Sequence, residues 1–237
     1  MNAQQLSYRL GRVASHVPEG AIVADIGSDH AYLPCYLVAE GLAERAIAGE
    51  VVKGPFESAK KQVRQEGLED RITVRLASGL AAIEPADGVT AITIAGMGGP
   101  LIASILEQDK ARLEGVQRLI LQPNVHAKAI REWAAANGWY IVNEEILEEN
   151  SKIYEIIVLE PAGKAVEFEE KELLFGPVLM AQRSDVFHTK WQREMAQWQK
   201  IVASMDANAE AADIGEKKQE LAQKIKLVEE VLNGEIS

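Results

Sequence analysis

Short apolar runs alternate with helix-spaced apolar positions along the first two thirds of the chain, and only helical spacing remains beyond. Leu6, Leu10, Val13 and Ala14 recur three and four apart, which predicts an opening helix. Ala21-Ile22-Val23-Ala24 then runs apolar into Asp25-Ile26-Gly27-Ser28-Asp29-His30, and Ala31 to Glu40 reads as a helix. Glu44 to Glu50 predicts a second strand and Arg71 to Leu76, by its alternation, a third. Thr90 to Ile94 is a fourth, apolar enough to be covered on both faces. Lys53-Gly54-Pro55 opens the helix after the second strand, with proline suited to a first turn, and Gly67 closes it. Val116 to Leu121 is the fifth strand, and Ala127 to Asn137 is a helix closed by Gly138. Trp139 to Leu147 and Lys152 to Leu159 are two more strands with only a short polar turn between them, so they pair antiparallel.

Parallel strands joined by helices and finished by a hairpin predict an α/β, Rossmann-like sheet of the class I methyltransferase kind. A dehydrogenase sheet would continue through another crossover helix. Composition breaks at Pro161-Ala162-Gly163. Beyond it, Leu173, Leu174, Leu179, Met180, Phe187, Trp191, Met195, Trp198, Ile201, Val202 and Met205 keep helical spacing, with Gly176-Pro177 as a break or kink. Ile214, Leu221, Ile225, Val228, Val231 and Leu232 do the same. The expected domains are 1–163, holding the sheet, and 164–237, a helical hairpin or coiled coil with Trp and Met along its seam.

Composition narrows the partners. The 237 residues carry a net charge of −11, which argues against binding nucleic acid by bulk charge, so any RNA reading must name local cations. Arg9 and Arg12 lie on one helical face and either meet a phosphate together or simply face solvent. Lys53, Lys128 and Arg131 sit on segments that border the carboxyl ends of the strands. The single cysteine, Cys35, lies in an apolar helix and reads as core. No apolar run approaches ~18 residues and no signal-peptide pattern opens the chain, so the expectation is a cytoplasmic protein without a membrane span. His16, His30, His126 and His188 are scattered without ligand spacing, and no metal site is expected.

The candidate chemistry gathers at the strand ends. Gly27 lets the backbone approach a ligand, and the helix after it offers free N–H groups. Asp29 stands where a dinucleotide fingerprint needs glycine. A carboxylate there repels a pyrophosphate but suits a cationic ligand such as S-adenosylmethionine; Asp29 capping the next helix is a compatible reading. Glu50, 25 residues after Asp25, is an acid at a strand tip, placed to accept two ribose hydroxyls. Ala77-Ser78-Gly79-Leu80 makes a tight loop beside it. Ala95-Gly96-Met97-Gly98-Gly99-Pro100 and Gln122-Pro123-Asn124 are further loops facing the same pocket.

These motifs carry a family resemblance. Ala24-Asp25-Ile26-Gly27-Ser28-Asp29-His30-Ala31-Tyr32-Leu33-Pro34, Ile92-Thr93-Ile94-Ala95-Gly96-Met97-Gly98-Gly99 and Leu121-Gln122-Pro123-Asn124 together resemble the bacterial tRNA (adenine-22-N1)-methyltransferases, from Leu6 through Glu160 and into the helical extension. The resemblance implies S-adenosylmethionine as donor and N1 of a tRNA adenine as acceptor. It implies a donor site of Asp25, Gly27, Ser28, Glu50, Val51, Ser78, Gly79, Ala95 and Gly96, and an acceptor side of Met97, Gly98, Gly99, Gln122, Pro123, Asn124, Arg9 and Arg12, with Asp29 catalytic. Family members often carry an acid where Ser78 stands, so the partner of the cofactor adenine is neutral here. By analogy, exocyclic-amine methyltransferases follow an acid or amide with two prolines after the fourth strand, and Gly96-Met97-Gly98-Gly99 lacks that set. The alternatives are a non-catalytic donor-binding scaffold, a methyltransferase with another acceptor, or an NAD enzyme. Either a monomer or a homodimer is compatible with the helices.

Overall fold

The first apolar run becomes strand β1 (Ala21–Ile26), and the helix ahead of it, α1 (Tyr8–Ala14), starts at Ser7, whose Oγ accepts from the Leu10 N–H at 3.3 Å. The computed structural model describes residues 4–164, 166–206 and 213–234. After β1 come α2 (Tyr32–Ala39), β2 (Ala43–Glu50), α3 (Lys53–Gln65), β3 (Ile72–Leu76), β4 (Ala91–Gly98), α4 (Gly99–Gln108), β5 (Arg118–Val125), α5 (Lys128–Asn137), β6 (Trp139–Glu149) and β7 (Lys152–Pro161). The seven described strands form one sheet in the order β3-β2-β1-β4-β5-β7-β6. β1 to β5 run parallel, while β7 pairs antiparallel with both β5 and β6. The chain winds one way from β1 to β3 and the other from β4 onward, so a crevice opens at the carboxyl ends of β1 and β4, where α/β sheets bind ligands.

The sheet centre is dry. Ile92, Ile94, Leu119, Ile120 and Leu121 are buried on β4 and β5, and Cys35 and Leu37 cover β1 from α2. Burial pushes the Cys35 thiol up to about 12, so it stays a neutral core side chain. Arg131 on α5 is also fully buried, with Nε 2.7 Å from Glu144 on β6 and Nη2 2.5 Å from Glu155 on β7. It therefore joins helix to hairpin and does not reach the pocket mouth, where its segment had suggested an RNA contact.

Two stretches expected as loops, Ala95 to Gly98 and Gln122-Pro123-Asn124, are strand. β4 runs on through Met97 and Gly98 because β5 extends beside it, pairing Ala95 with Gln122, Met97 with Pro123 and Gly98 with Val125 across register shifts. Gly96 takes the positive φ (+81°) that this irregularity needs.

The chain divides into two compact units, Met1–Glu169 and Glu170–Ser237. Residues after Gly163 stay with the first unit: the Val166 N–H donates to the Ala135 carbonyl at 3.5 Å. The second unit holds α6 (Glu170–Phe175), α7 (Pro177–Gln182), α8 (Asp185–Asp206) and α9 (Asp213–Asn233). Gly176-Pro177 separates α6 from α7. A second break follows at Arg183, where the chain turns left-handed and Ser184 Oγ accepts from the Phe187 N–H at 3.3 Å to begin α8. Phe175, Phe187 and Trp191 form its aromatic centre, with Phe175 edge-on to Trp191 at 4.5 Å, and Val228 and Val231 bury from α9. Residues 207–212 and the Ile214 side chain lie outside the described residues. Among the described residues no helix is long and apolar enough to cross a membrane.

Candidate active site

β1 delivers the first wall of the site. The register sets Asp25 beside Thr93 of β4, and both Asp25 oxygens are used: Thr93 Oγ1 and Ser28 Oγ each donate at 2.6 Å. Asp25 is buried and its pKa is raised by burial, against those two hydrogen bonds. Those two bonds tie the turn to β1 and β4, and Asp25 and Ser28 both reach the cavity wall. Thr93, invisible to motif reading, is the partner that makes this possible.

The turn after β1 is tight and strained. The Gly27 and Ser28 N–H groups both donate to the Gly49 carbonyl, at 2.9 and 3.2 Å. Gly27 has φ +72°, a left-handed backbone that favours glycine, and a Cβ there would lie 2.2 Å from the Met97 methyl and push that flexible side chain aside. Asp29, His30 and Ala31 follow at φ 40°, 67° and 56°, three left-handed non-glycine residues in a row. The Asp29 N–H donates to the Glu50 carboxylate, and the His30 ring stacks on Tyr32 at 5.4 Å. α2 has no side-chain cap, so Asp29 is not spent as one; its carboxylate is 76 % exposed and faces His30 Nε2 at 3.6 Å. Glu50 is buried at the β2 tip, and burial together with the nearby charges of Asp29 and Asp25 raises its pKa against the Asp29 N–H bond.

A cavity of about 320 Å³ lies between these elements and β4–β5. The structure brings Arg9, Asp25, Gly27, Ser28, Asp29, Ala95, Gly96, Met97 and Asn124 to its wall, and adds Leu10, Tyr32, Leu33 and Tyr154, none of which has a site role from sequence alone. Glu50 meets the cavity through the Asp29 backbone, and Val51, Ser78 and Gly79 sit at the neighbouring strand tips. Gln122 and Pro123 lie behind the Gly96 segment. Gly98 and Gly99 begin α4, where a Gly99 Cβ would meet the His126 carbonyl oxygen at 2.0 Å. Arg12 points elsewhere: its Nε binds Glu145 at 2.6 Å, and His16 Nε2 meets the same carboxylate at 3.0 Å. A wider depression of about 490 Å³ along β6, between Tyr140 and Glu167, contains none of the glycine turns.

The cavity fits a cationic nucleoside donor. Gly27 turns the backbone at the cavity wall, and Asp29 stands where a pyrophosphate site needs glycine, its N–H bonded to the Glu50 carboxylate at the β2 tip. A mostly parallel sheet closed by a hairpin, with this acidic turn at its switch point, defines the class I methyltransferase architecture. Residues 23–230 match the tRNA (adenine(22)-N(1))-methyltransferase family, and the chain belongs to that family. It is 46 % identical to the tRNA (adenine(22)-N(1))-methyltransferase of Bacillus subtilis, over 98 % of this chain and 99 % of that one. A Listeria monocytogenes protein of solved structure superposes with a TM-score of 0.93 at 50 % identity, covering 96 % of this chain and all of that one. A Streptococcus pneumoniae protein solved in complex with S-adenosyl-L-methionine gives a TM-score of 0.87 at 47 % identity, again over 96 % of this chain and all of that one.

Proposed function

We propose that this protein transfers a methyl group from S-adenosylmethionine to N1 of adenine 22 in tRNA. The observation that carries the reading is the cavity of a family member in which an acidic turn on β1 faces the Gly96 segment of β4. When bound, S-adenosylmethionine supplies an electrophilic methyl group on sulfur. Gly27, Ser28 and Ala95 would cradle it, Glu50 would accept its ribose hydroxyls, and Val51, Ser78 and Gly79 would border its adenine.

The acceptor chemistry asks little of a base. Neutral adenine N1 carries a free lone pair, so no proton need leave before attack, and alignment of a flipped-out base is the main task. Met97, Gly98, Gly99 and Asn124 would form the wall against which that base lies. The methylated ring becomes cationic, and the exposed Asp29 carboxylate stabilises the developing charge and can accept a proton from the 6-amino group. Against a net charge of −11, the RNA backbone would be met by local cations such as Lys53 and Lys128, and the helical unit would brace the tRNA. A cytoplasmic location accords with the lone, unpaired Cys35.

The test is incubation with unmodified tRNA and S-adenosylmethionine, followed by nucleoside mass spectrometry. A 1-methyladenosine signal that disappears when adenine 22 is replaced is the expected result. Binding of S-adenosylhomocysteine with no methylated nucleoside on any tRNA would identify a non-catalytic module instead.

A further inference from the structure

We infer that Arg9 is a positioning residue that sets the shape of the Gly96 segment through Gln122, and not a phosphate contact. The inference rests on the proposed methyl transfer for its kinetic consequences, while its structural consequence stands apart from turnover.

Arg9 reaches the cavity wall from α1 and is anchored there three ways. Its backbone N–H donates to Glu149 Oε1 at 3.0 Å, its guanidinium carbon lies 5.2 Å from the Tyr154 ring centroid, and its Nη1 donates to Gln122 Oε1. Gln122 is completely buried. The same Oε1 accepts from the Gly96 N–H at 3.0 Å, and Nε2 donates to the Pro123 carbonyl at 2.9 Å and to Asn124 Oδ1 at 3.3 Å. Asn124 Nδ2 in turn donates to the Gly96 carbonyl at 2.7 Å. Gly96 is thus gripped on its N–H by one amide and on its C=O by the next.

An amide can turn over and exchange its oxygen for its nitrogen. The Gly96 N–H and the Pro123 carbonyl already ask for oxygen on one side and nitrogen on the other, and a guanidinium, which can only donate, adds a charged donor that deepens the preference for that orientation. Without Arg9 the Gln122 amide keeps only its weaker neutral partners, and the grip on the Gly96 N–H loosens at the residue whose left-handed backbone shapes the acceptor wall. Charge argues the same way. A cation in a cavity where the acceptor ring turns cationic opposes the reaction, so the worth of Arg9 lies in what it holds. Its spacing from Arg12 suggests a shared phosphate, but Arg12 is turned to Glu145.

The experiment compares Arg9→Lys, Arg9→Met, Gln122→Leu and the Arg9→Met/Gln122→Leu double variant in the full chain, with melting temperature as the fold control. We expect Arg9→Met and Arg9→Lys to lower kcat about tenfold or more, with KM for tRNA, its salt dependence and the Kd for S-adenosylhomocysteine within about threefold of wild type. The double variant should be no slower than Gln122→Leu alone. In the absence of any substrate, the Gly96 amide should exchange hydrogen about tenfold faster in both Arg9 variants. A rise in KM with kcat kept, a salt slope lower by about one and tolerance of lysine would make Arg9 a phosphate contact. Additive losses in the double variant, or unchanged Gly96 exchange, would also overturn the inference. A wild-type protein that methylates no tRNA would instead remove the proposed function, and the exchange measurement would still decide the role of Arg9.

Discussion

Glu50 is held in a place that costs the empty protein stability. Burial raises its pKa, so the folded state holds a proton that the unfolded chain releases. The sign follows: between the ordinary glutamate range and the raised value, the unliganded fold loses stability as pH rises, and above the raised value the full penalty applies. Glu50→Gln is expected to raise the Tm of the unliganded protein at pH 7.5, with a gain that shrinks as pH falls through that window. The same change should weaken S-adenosylhomocysteine about tenfold or more, the weight of a hydrogen bond to a charged group. Calorimetry checks both. Asp29→Asn keeps a side chain that tolerates the left-handed backbone, so its effect isolates charge. The expected outcome is a kcat lower by about tenfold or more at unchanged donor affinity, read from single-turnover methylation. Both acids were legible in the sequence because Glu50 ends a strand and Asp29 stands in the turn just after one. Thr93 and Tyr154 were not, since what brings them to the site is strand register, between segments far apart in the chain.

Among the elements, the strand sequence and most helices followed the apolar spacing, while the glycine-rich end of β4 and the helix α4 that follows it did not. A run of glycines reads locally as a loop; here it continues as strand because β5 offers a hydrogen-bonding partner past Gln122. The same limit hid the cluster on the hairpin. Arg131, Glu144 and Glu155 look like ordinary surface charges in an amphipathic helix and two alternating strands, yet all three are buried together. Removing the cation alone leaves two carboxylates without their counter-charge. Arg131→Met should therefore cost about 3–5 kcal/mol in urea unfolding, where a change at an exposed charge costs little.

At the scale of the whole molecule, the two units carry separate cores. In the helical unit the Trp191 indole N–H is buried without a partner among the described residues. Trp191→Phe removes that donor and should be nearly neutral, whereas Trp191→Ala leaves a hole worth about 3–5 kcal/mol. Differential scanning calorimetry should place the alanine loss in the helical unit's transition, with S-adenosylhomocysteine binding by residues 1–169 within about twofold. The strand order carries a consequence for how the chain is made. β7, the last strand to be synthesised, sits between β5 and β6 and is bonded to both. At ordinary translation rates the ribosome takes roughly 1–5 s to add the residues of β6 and β7, during which β5 has an open flank and β6 has no neighbour. The nascent sheet therefore stays an unfinished template for that interval, open to strands of another chain, until the strand that seals it arrives.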